Sequence, residues 1–259
     1  MTKKLPSITN KLPALIAGAG FVLLWQLVCS LGLVPAYMLP SPLDVLRAFW
    51  FERVLLWENA LITLKEAFIG LGLGVLLGLV FATVMDAVPV LRRAIYPILV
   101  LTQTVPTVAI APLLVLWFGY GLVPKVVLIV ITTFFPVTVG LLDGFVSADP
   151  DTIDLLRSMG AGKWQIFRYI KFPGALSQFF SGLRIAAAYC VVGAVISEWL
   201  GGFGGLGVYM TRVKKAFAFD KMFAVIFLIS AVSLGLMALV DLARRLCMPW
   251  QQVRENKEQ

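Results

Sequence analysis

The chain contains no histidine. That absence removes the two-histidine zinc helix of metalloproteases and every Ser-His or Cys-His nucleophile pair. Cysteine is scarce as well. Cys29, Cys190 and Cys247 stand far apart without CxxC spacing, so neither a metal cluster nor a disulfide framework is implied. Only 14% of residues are charged and 60% are hydrophobic, with a mean hydropathy of +0.92. Soluble domains carry about 25% charged residues, so the composition describes an all-α polytopic membrane protein. The net charge of +8 does not point to nucleic acid, because excess Lys and Arg in a membrane chain reflects orientation and contact with anionic lipid.

What is present is a series of apolar runs. A basic start, residues 1–12, precedes an uncharged run over 13–34 that is long enough to cross a bilayer, and it is expected to be retained as a first span. A proline-rich stretch follows, with a short helix expected over Leu43 to Trp50 after Ser41-Pro42. The second span is expected over 63–85, where Gly70, Gly74 and Gly78 recur every four residues and prepare a close helix contact. A third is expected over 95–118. It contains Pro97, Pro106 and Pro112, and freed carbonyls in a membrane are tolerated only against protein or water, which predicts an interior helix. Further spans are expected over 126–142, 185–200 and 222–240, giving six in a single transmembrane domain over 13–245, with a polar tail over 246–259.

Six spans place both termini on one side. With cytoplasmic termini, fourteen of the 22 basic residues are internal, Arg92, Arg93, Arg157, Lys163, Arg168, Arg244 and Arg245 among them. The same orientation puts the longest polar passage, Asp149 to Arg184, in the cytoplasm. Asp149 suits a helix N-cap, Pro150 its first position, and Gly160 its end. A second short helix is expected from Trp164 to Ile170, ended by Pro173, so that two short helices meet at a sharp angle outside the membrane.

Asp154-Leu155-Leu156, Gly160 and Ile170-Lys171-Phe172-Pro173 resemble the EAA loop of ABC importer permeases: E-A-A, three residues, G, nine residues, I-x-L-P. Asp replaces the Glu and two leucines replace the alanines. The resemblance extends from Leu39-Pro40-Ser41-Pro42 to Met248-Pro249-Trp250 and is to the taurine, sulfonate, nitrate and thiamine-precursor branch. It implies a type I importer permease fold in which Asp154, Leu155, Leu156, Gly160, Trp164, Ile170 and Pro173 form a coupling helix that docks on an ATPase. It also implies partners: two ATPase subunits that bind ATP and Mg, a second permease copy, and an extracytoplasmic binding protein, in a bacterial cytoplasmic membrane. The final third, from Ser197 to Ser230, is most similar to hydroxymethylpyrimidine permeases, with sulfonate, taurine and nitrate permeases as runners-up.

Two glycine motifs mislead. Gly160-Ala161-Gly162-Lys163-Trp164 lacks both the first glycine and the Ser or Thr of a phosphate loop. Gly202 to Gly207 fits GxGxxG literally but follows a membrane span rather than a strand, so a flexible or re-entrant loop is expected. The chain is therefore expected to be no enzyme and to bind no cofactor of its own. Gln103, Thr104, Thr107, Thr133, Ser197 and Glu198 are candidates for the translocation route because they are polar at membrane depth. The same Thr and Ser residues are open to bonding their own helix backbone, and Glu198 to sitting among headgroups. The rival class, an ion-gradient transporter, places ionisable residues inside its spans, and none is expected in the six interiors.

Overall fold

The computed structural model describes residues 8–35 and 37–249, and among them every regular element is helical. In chain order these are α1 (Ile8–Ser30), α2 (Pro42–Phe51), α3 (Arg53–Ala87), α4 (Pro89–Thr102), α5 (Thr107–Phe118), α6 (Leu122–Val146) and α7 (Pro150–Ser158). There follow α8 (Lys163–Ile166), a π-helical turn (Phe167–Lys171), α9 (Phe172–Gly201), α10 (Leu206–Lys215) and α11 (Phe219–Cys247). The chain forms two compact units, one of Met1–Glu58 and Tyr209–Leu228, the other of Asn59–Val208 and Ile229–Gln259.

In the first unit, the helix expected after Ser41-Pro42 is α2. The Ser41 hydroxyl accepts from the Asp44 amide at 3.2 Å, and Pro42 takes the first helical position, where no N-H is needed. Trp25 donates its indole N-H to the Pro40 carbonyl at 3.1 Å and lies against Phe223 and Phe227. Val45, Ala48 and Ala224 are buried beside it.

The second unit is built on α3, α6 and α9. Gly70, Gly74 and Gly78 of α3 face Ile129, Thr133 and Val137 of α6 so closely that no side chain fits between them. That is the close approach a small residue every four positions permits. Further along α6, Gly140 lies against the Gln178 carbonyl and Gly144 against Ala175, while Gly182 of α9 lies against the Pro136 carbonyl. Leu141, Leu142 and Phe145 fill the core between these backbones.

Among the described residues, four helical runs are long and apolar enough to cross a membrane: α3, α6, the continuous run Lys163–Gly201, and α11. The pair α4 and α5 counts as a fifth, broken span, bent by 99°. The first expected span, over 13–34, falls in α1, which contributes the apolar helix Ile16–Ser30 within the described residues, so the count of six is not confirmed.

Three local expectations are corrected. The run over 95–118 is two helices, since Pro106 has no N-H and holds the residue before it away from helical geometry. Carbonyls freed at the break receive side-chain donors, Thr102 to Leu99 at 2.6 Å and Thr104 to Leu101 at 2.8 Å. Pro173 does not end a short helix. The π turn ahead of it, in which the Phe172 amide reaches back to the Phe167 carbonyl, widens the spiral and lets the ring enter the first turn of α9. The fifth span therefore begins far before Ile185. Finally, the long apolar helices do hold ionisable residues: Glu66, Lys125 and Glu198 are all buried.

Candidate functional site

The turn between α7 and α8 is built from local signals. The Asp149 carboxylate accepts from the amides of Asp151 and Thr152 and from the Thr152 hydroxyl, capping α7. The Thr152 hydroxyl first, then the Asp151 amide, draws its pKa below the ordinary 3.8. At the other end Gly160 adopts φ +86°. This left-handed residue lets the Gly160 amide donate to the Arg157 carbonyl at 2.9 Å and the Ala161 amide to Leu156 at 3.0 Å. Gln165 then accepts from the Gly162 amide at 2.7 Å and opens α8.

No residue of α7 is buried. Leu155, Met159 and Trp164 are at least 63% exposed, an unusual cost for three large apolar side chains on one polar turn unless something covers them. Asp154 points outward too, paired with Arg157 at 3.0 Å. Leu156, Ile170 and Pro173 are half-buried. The turn is anchored from below. Trp164 stacks on Phe167 at 5.7 Å, Phe167 meets Phe145 of α6 at 5.3 Å, and the Lys171 ammonium contacts both Asp86 oxygens at 2.8 and 2.9 Å.

The other candidate feature is a pair of cavities beside the break in the α4–α5 pair. One, of about 270 Å³, is lined by Thr102, Gln103, Thr107, Thr132 and Tyr189 among others. The second, about 460 Å³, shares Gln103 and Tyr189 with it and extends along α6 and α9 to Asp143 and Gln178. Of the six residues singled out from polarity, Gln103 and Thr107 line these spaces. Thr104 lies in the break, bonded to Leu101. Thr133, Ser197 and Glu198 are elsewhere. Thr133 donates to the Ile129 carbonyl at 2.8 Å and packs on Gly74. Ser197 donates to the Ala194 carbonyl at 2.7 Å.

Glu198 holds the Gly-rich loop. Its Oε1 accepts from the Thr63 hydroxyl at 2.7 Å and its Oε2 from the Gly207 amide at 2.6 Å. Asn59 accepts from the Gly205 amide and Thr63 from the Leu206 amide, each at 2.9 Å. Gly205 sits at φ +115° with the Glu198 carboxylate in the place a side chain would take. The loop expected to be flexible or re-entrant is thus pinned by buried bonds at Gly205, Leu206 and Gly207, while Phe203 stays exposed. Nearby, Lys125 donates to Glu66 at 2.6 Å with both side chains almost fully buried.

Sequence reasoning missed Tyr189, Thr132, Gln178 and Asp143 as cavity residues. Thr132 adjoins the chosen Thr133 but lies on the other face of α6, and helical register alone does not say which face meets a cavity.

A family model described as the binding-protein-dependent transport system inner membrane component matches residues 74–249. The chain belongs to that family. This permease is 38% identical over 217 residues to the formylaminopyrimidine transport permease protein ThiX of Halalkalibacterium halodurans, covering 83% of this chain and 87% of that one. It is 33% identical over 229 residues to the riboflavin transport system permease protein RibX of Chloroflexus aurantiacus, covering 88% and 85%. Its fold matches a chain of the MetNI methionine ABC transporter with a TM-score of 0.64 at 19% identity, over 75% of this permease and 97% of that chain. The permease is therefore a membrane subunit of an ABC importer, and permease subunits of these transporters are not themselves catalytic. Family membership also removes the ion-gradient rival, which the buried Glu66, Lys125 and Glu198 would otherwise have left open.

Proposed function

We propose that this permease passes a thiamine pyrimidine precursor, hydroxymethylpyrimidine, from an external binding protein to the cytoplasm. The similarity to a formylaminopyrimidine permease over most of both chains supports the pyrimidine. Two copies of the chain, with both termini cytoplasmic, pair with two ATPase subunits that hold ATP and Mg. The single permease domain spans residues 13–245.

The observation that carries the coupling role is the α7–α8 turn, which presents Leu155, Met159 and Trp164 outward on an anchored base. Asp154, Leu155, Leu156, Gly160 and Trp164 meet the ATPase, while Ile170 and Pro173 join the turn to α9. ATP-driven closure of the partners moves this turn and with it the helices around the route. Gln103 and Thr107 border that route beside the break between α4 and α5.

The test is uptake into liposomes holding the permease with its cognate ATPase and binding protein, supplied in parallel with labelled hydroxymethylpyrimidine, riboflavin and taurine. ATP-dependent accumulation of the pyrimidine alone is expected. Accumulation of taurine or riboflavin instead would overturn the substrate while leaving the importer intact.

A further inference from the structure

The larger of the two cavities has a lining whose chemistry is one-sided. Asp143 contributes a carboxylate that is exposed and belongs to none of the ion pairs among the described residues. Gln178 contributes a buried Oε1 with no donor, an acceptor lacking the hydrogen bond such atoms normally have. Ser181 and Gln103 add neutral polar groups, and Tyr189 and Phe135 add aromatic walls. Among the described residues, no lysine or arginine lines either cavity.

The floor is closely built. Gly140 and Gly182 bring the backbones of α6 and α9 together, so the side chains at the rim rather than loose packing define the space. A volume of about 460 Å³ lies within the usual range for small-ligand sites, roughly 300 to 1,000 Å³. Asp143 and Gln178 lie near the ends of α6 and α9 that adjoin the α7–α8 turn, while Gln103 and Tyr189 link them to the smaller cavity. The polar groups thus run toward the end of the unit that carries the turn.

We propose that Asp143 and Gln178, with Gln103, Ser181 and Tyr189, form a charge-selective station that receives a neutral or cationic nitrogen heterocycle and rejects organic anions. The station deepens the import reading above and rests on it for the direction of travel. A ring amine donates to the Asp143 carboxylate and the Gln178 side chain on the same wall supplies a second polar contact, while the ring plane lies against Tyr189. A sulfonate entering the same space meets a carboxylate and acceptor oxygens and finds no cation, so it loses its hydration without replacement. Selection here is independent of the binding protein and acts after release from it.

The test is equilibrium binding of labelled hydroxymethylpyrimidine and a labelled alkanesulfonate to the permease–ATPase complex in nanodiscs, without binding protein, so that the permease's own preference is read. The wild type is expected to retain the pyrimidine and not the sulfonate. Gln178→Leu is expected to weaken pyrimidine binding about tenfold, as the loss of one hydrogen bond implies. Asp143→Lys is expected to abolish it and admit the sulfonate. If Asp143→Lys does not assemble, Asp143→Asn carries the same test, with a loss of about tenfold expected. Pyrimidine binding indifferent to both positions, or sulfonate binding by the wild type, would overturn the station. Uptake of riboflavin in place of the pyrimidine, with unchanged dependence on Asp143, would overturn the substrate assignment and uphold the station.

Discussion

The Thr63 hydroxyl donates to Glu198 Oε1 at 2.7 Å across 135 residues of sequence, joining α3 to the end of α9 in a buried setting. The same hydroxyl accepts from the Leu206 amide, and the same carboxylate accepts from the Gly207 amide. Removing either partner strands buried groups on both helices and on the loop.

Thr63→Val is accordingly expected to lower stability by about 1 to 3 kcal/mol, the cost of leaving a buried partner without its bond. Gly205→Ala is expected to be at least as severe, since its φ is +115° and its new methyl meets the Glu198 carboxylate. Thermal unfolding of the purified permease in detergent measures both. An unchanged Tm for Thr63→Val would mean that the loop is held by something other than this network.

At Gly160 the effect is conformational alone, because nothing lies within 4 Å of the position a side chain would occupy. Gly160→Asn should therefore be tolerated and Gly160→Val should not, the β-branched residue resisting φ +86° by about 1 to 3 kcal/mol. Co-purification of the ATPase with each variant reads the difference. Equal recovery with Val and Asn would separate the shape of the turn from docking.

Both features concern glycine, yet only one was legible in the sequence. Gly160 was identifiable because everything that makes it necessary lies within a few residues: the Asp149 cap, the helix length, the amides of Gly160 and Ala161. Gly205 was not, because its constraint comes from Glu198, Asn59 and Thr63, and no local pattern encodes which distant carboxylate fills the space. The Gly70, Gly74 and Gly78 stripe was legible as a packing face, but not its partner α6. Proline misled in both directions. Three prolines between 95 and 118 left the site of the break open, and the helix breaks before Thr107, at Pro106, while Pro97 and Pro112 lie inside α4 and α5. Pro173 looked like a terminator because a π turn leaves no mark in composition.

Gly74→Leu tests the stripe. Overpacking a close helix contact costs about 1 to 3 kcal/mol, and here the new side chain displaces Thr133 and forces α3 from α6. A lower Tm and faster proteolysis are expected, while Gly72→Leu, with open space around it, should leave both unchanged. Similar behaviour of the two variants would argue against the α3–α6 contact.

Acid should loosen α7 late. Because the Thr152 hydroxyl and the Asp151 amide favour the charged form, Asp149 is more acidic folded than unfolded. The cap therefore contributes fully above the unfolded value of 3.8 and is lost only as pH falls through the lower folded value. Thr152→Val removes the leading cause and should move the loss to higher pH. Amide exchange at Asp151 to Ile153, followed down from neutral pH, is the measurement. Identical profiles for both proteins would show that Thr152 does not set the acidity of Asp149.

From Lys163 to Gly201 the backbone is one unbroken helical run of 39 residues, close to 60 Å at about 1.5 Å per residue. Trp164 rides near one tip and Glu198 near the other. Such a rod has no slack. A push at the tryptophan tip arrives at the glycine-rich loop as a tilt or a slide, with the five-residue π turn as the one place along the shaft where the winding differs. One end of this helical run can thus be felt at the other without any relay of side chains, much as a crowbar carries force through its own stiffness.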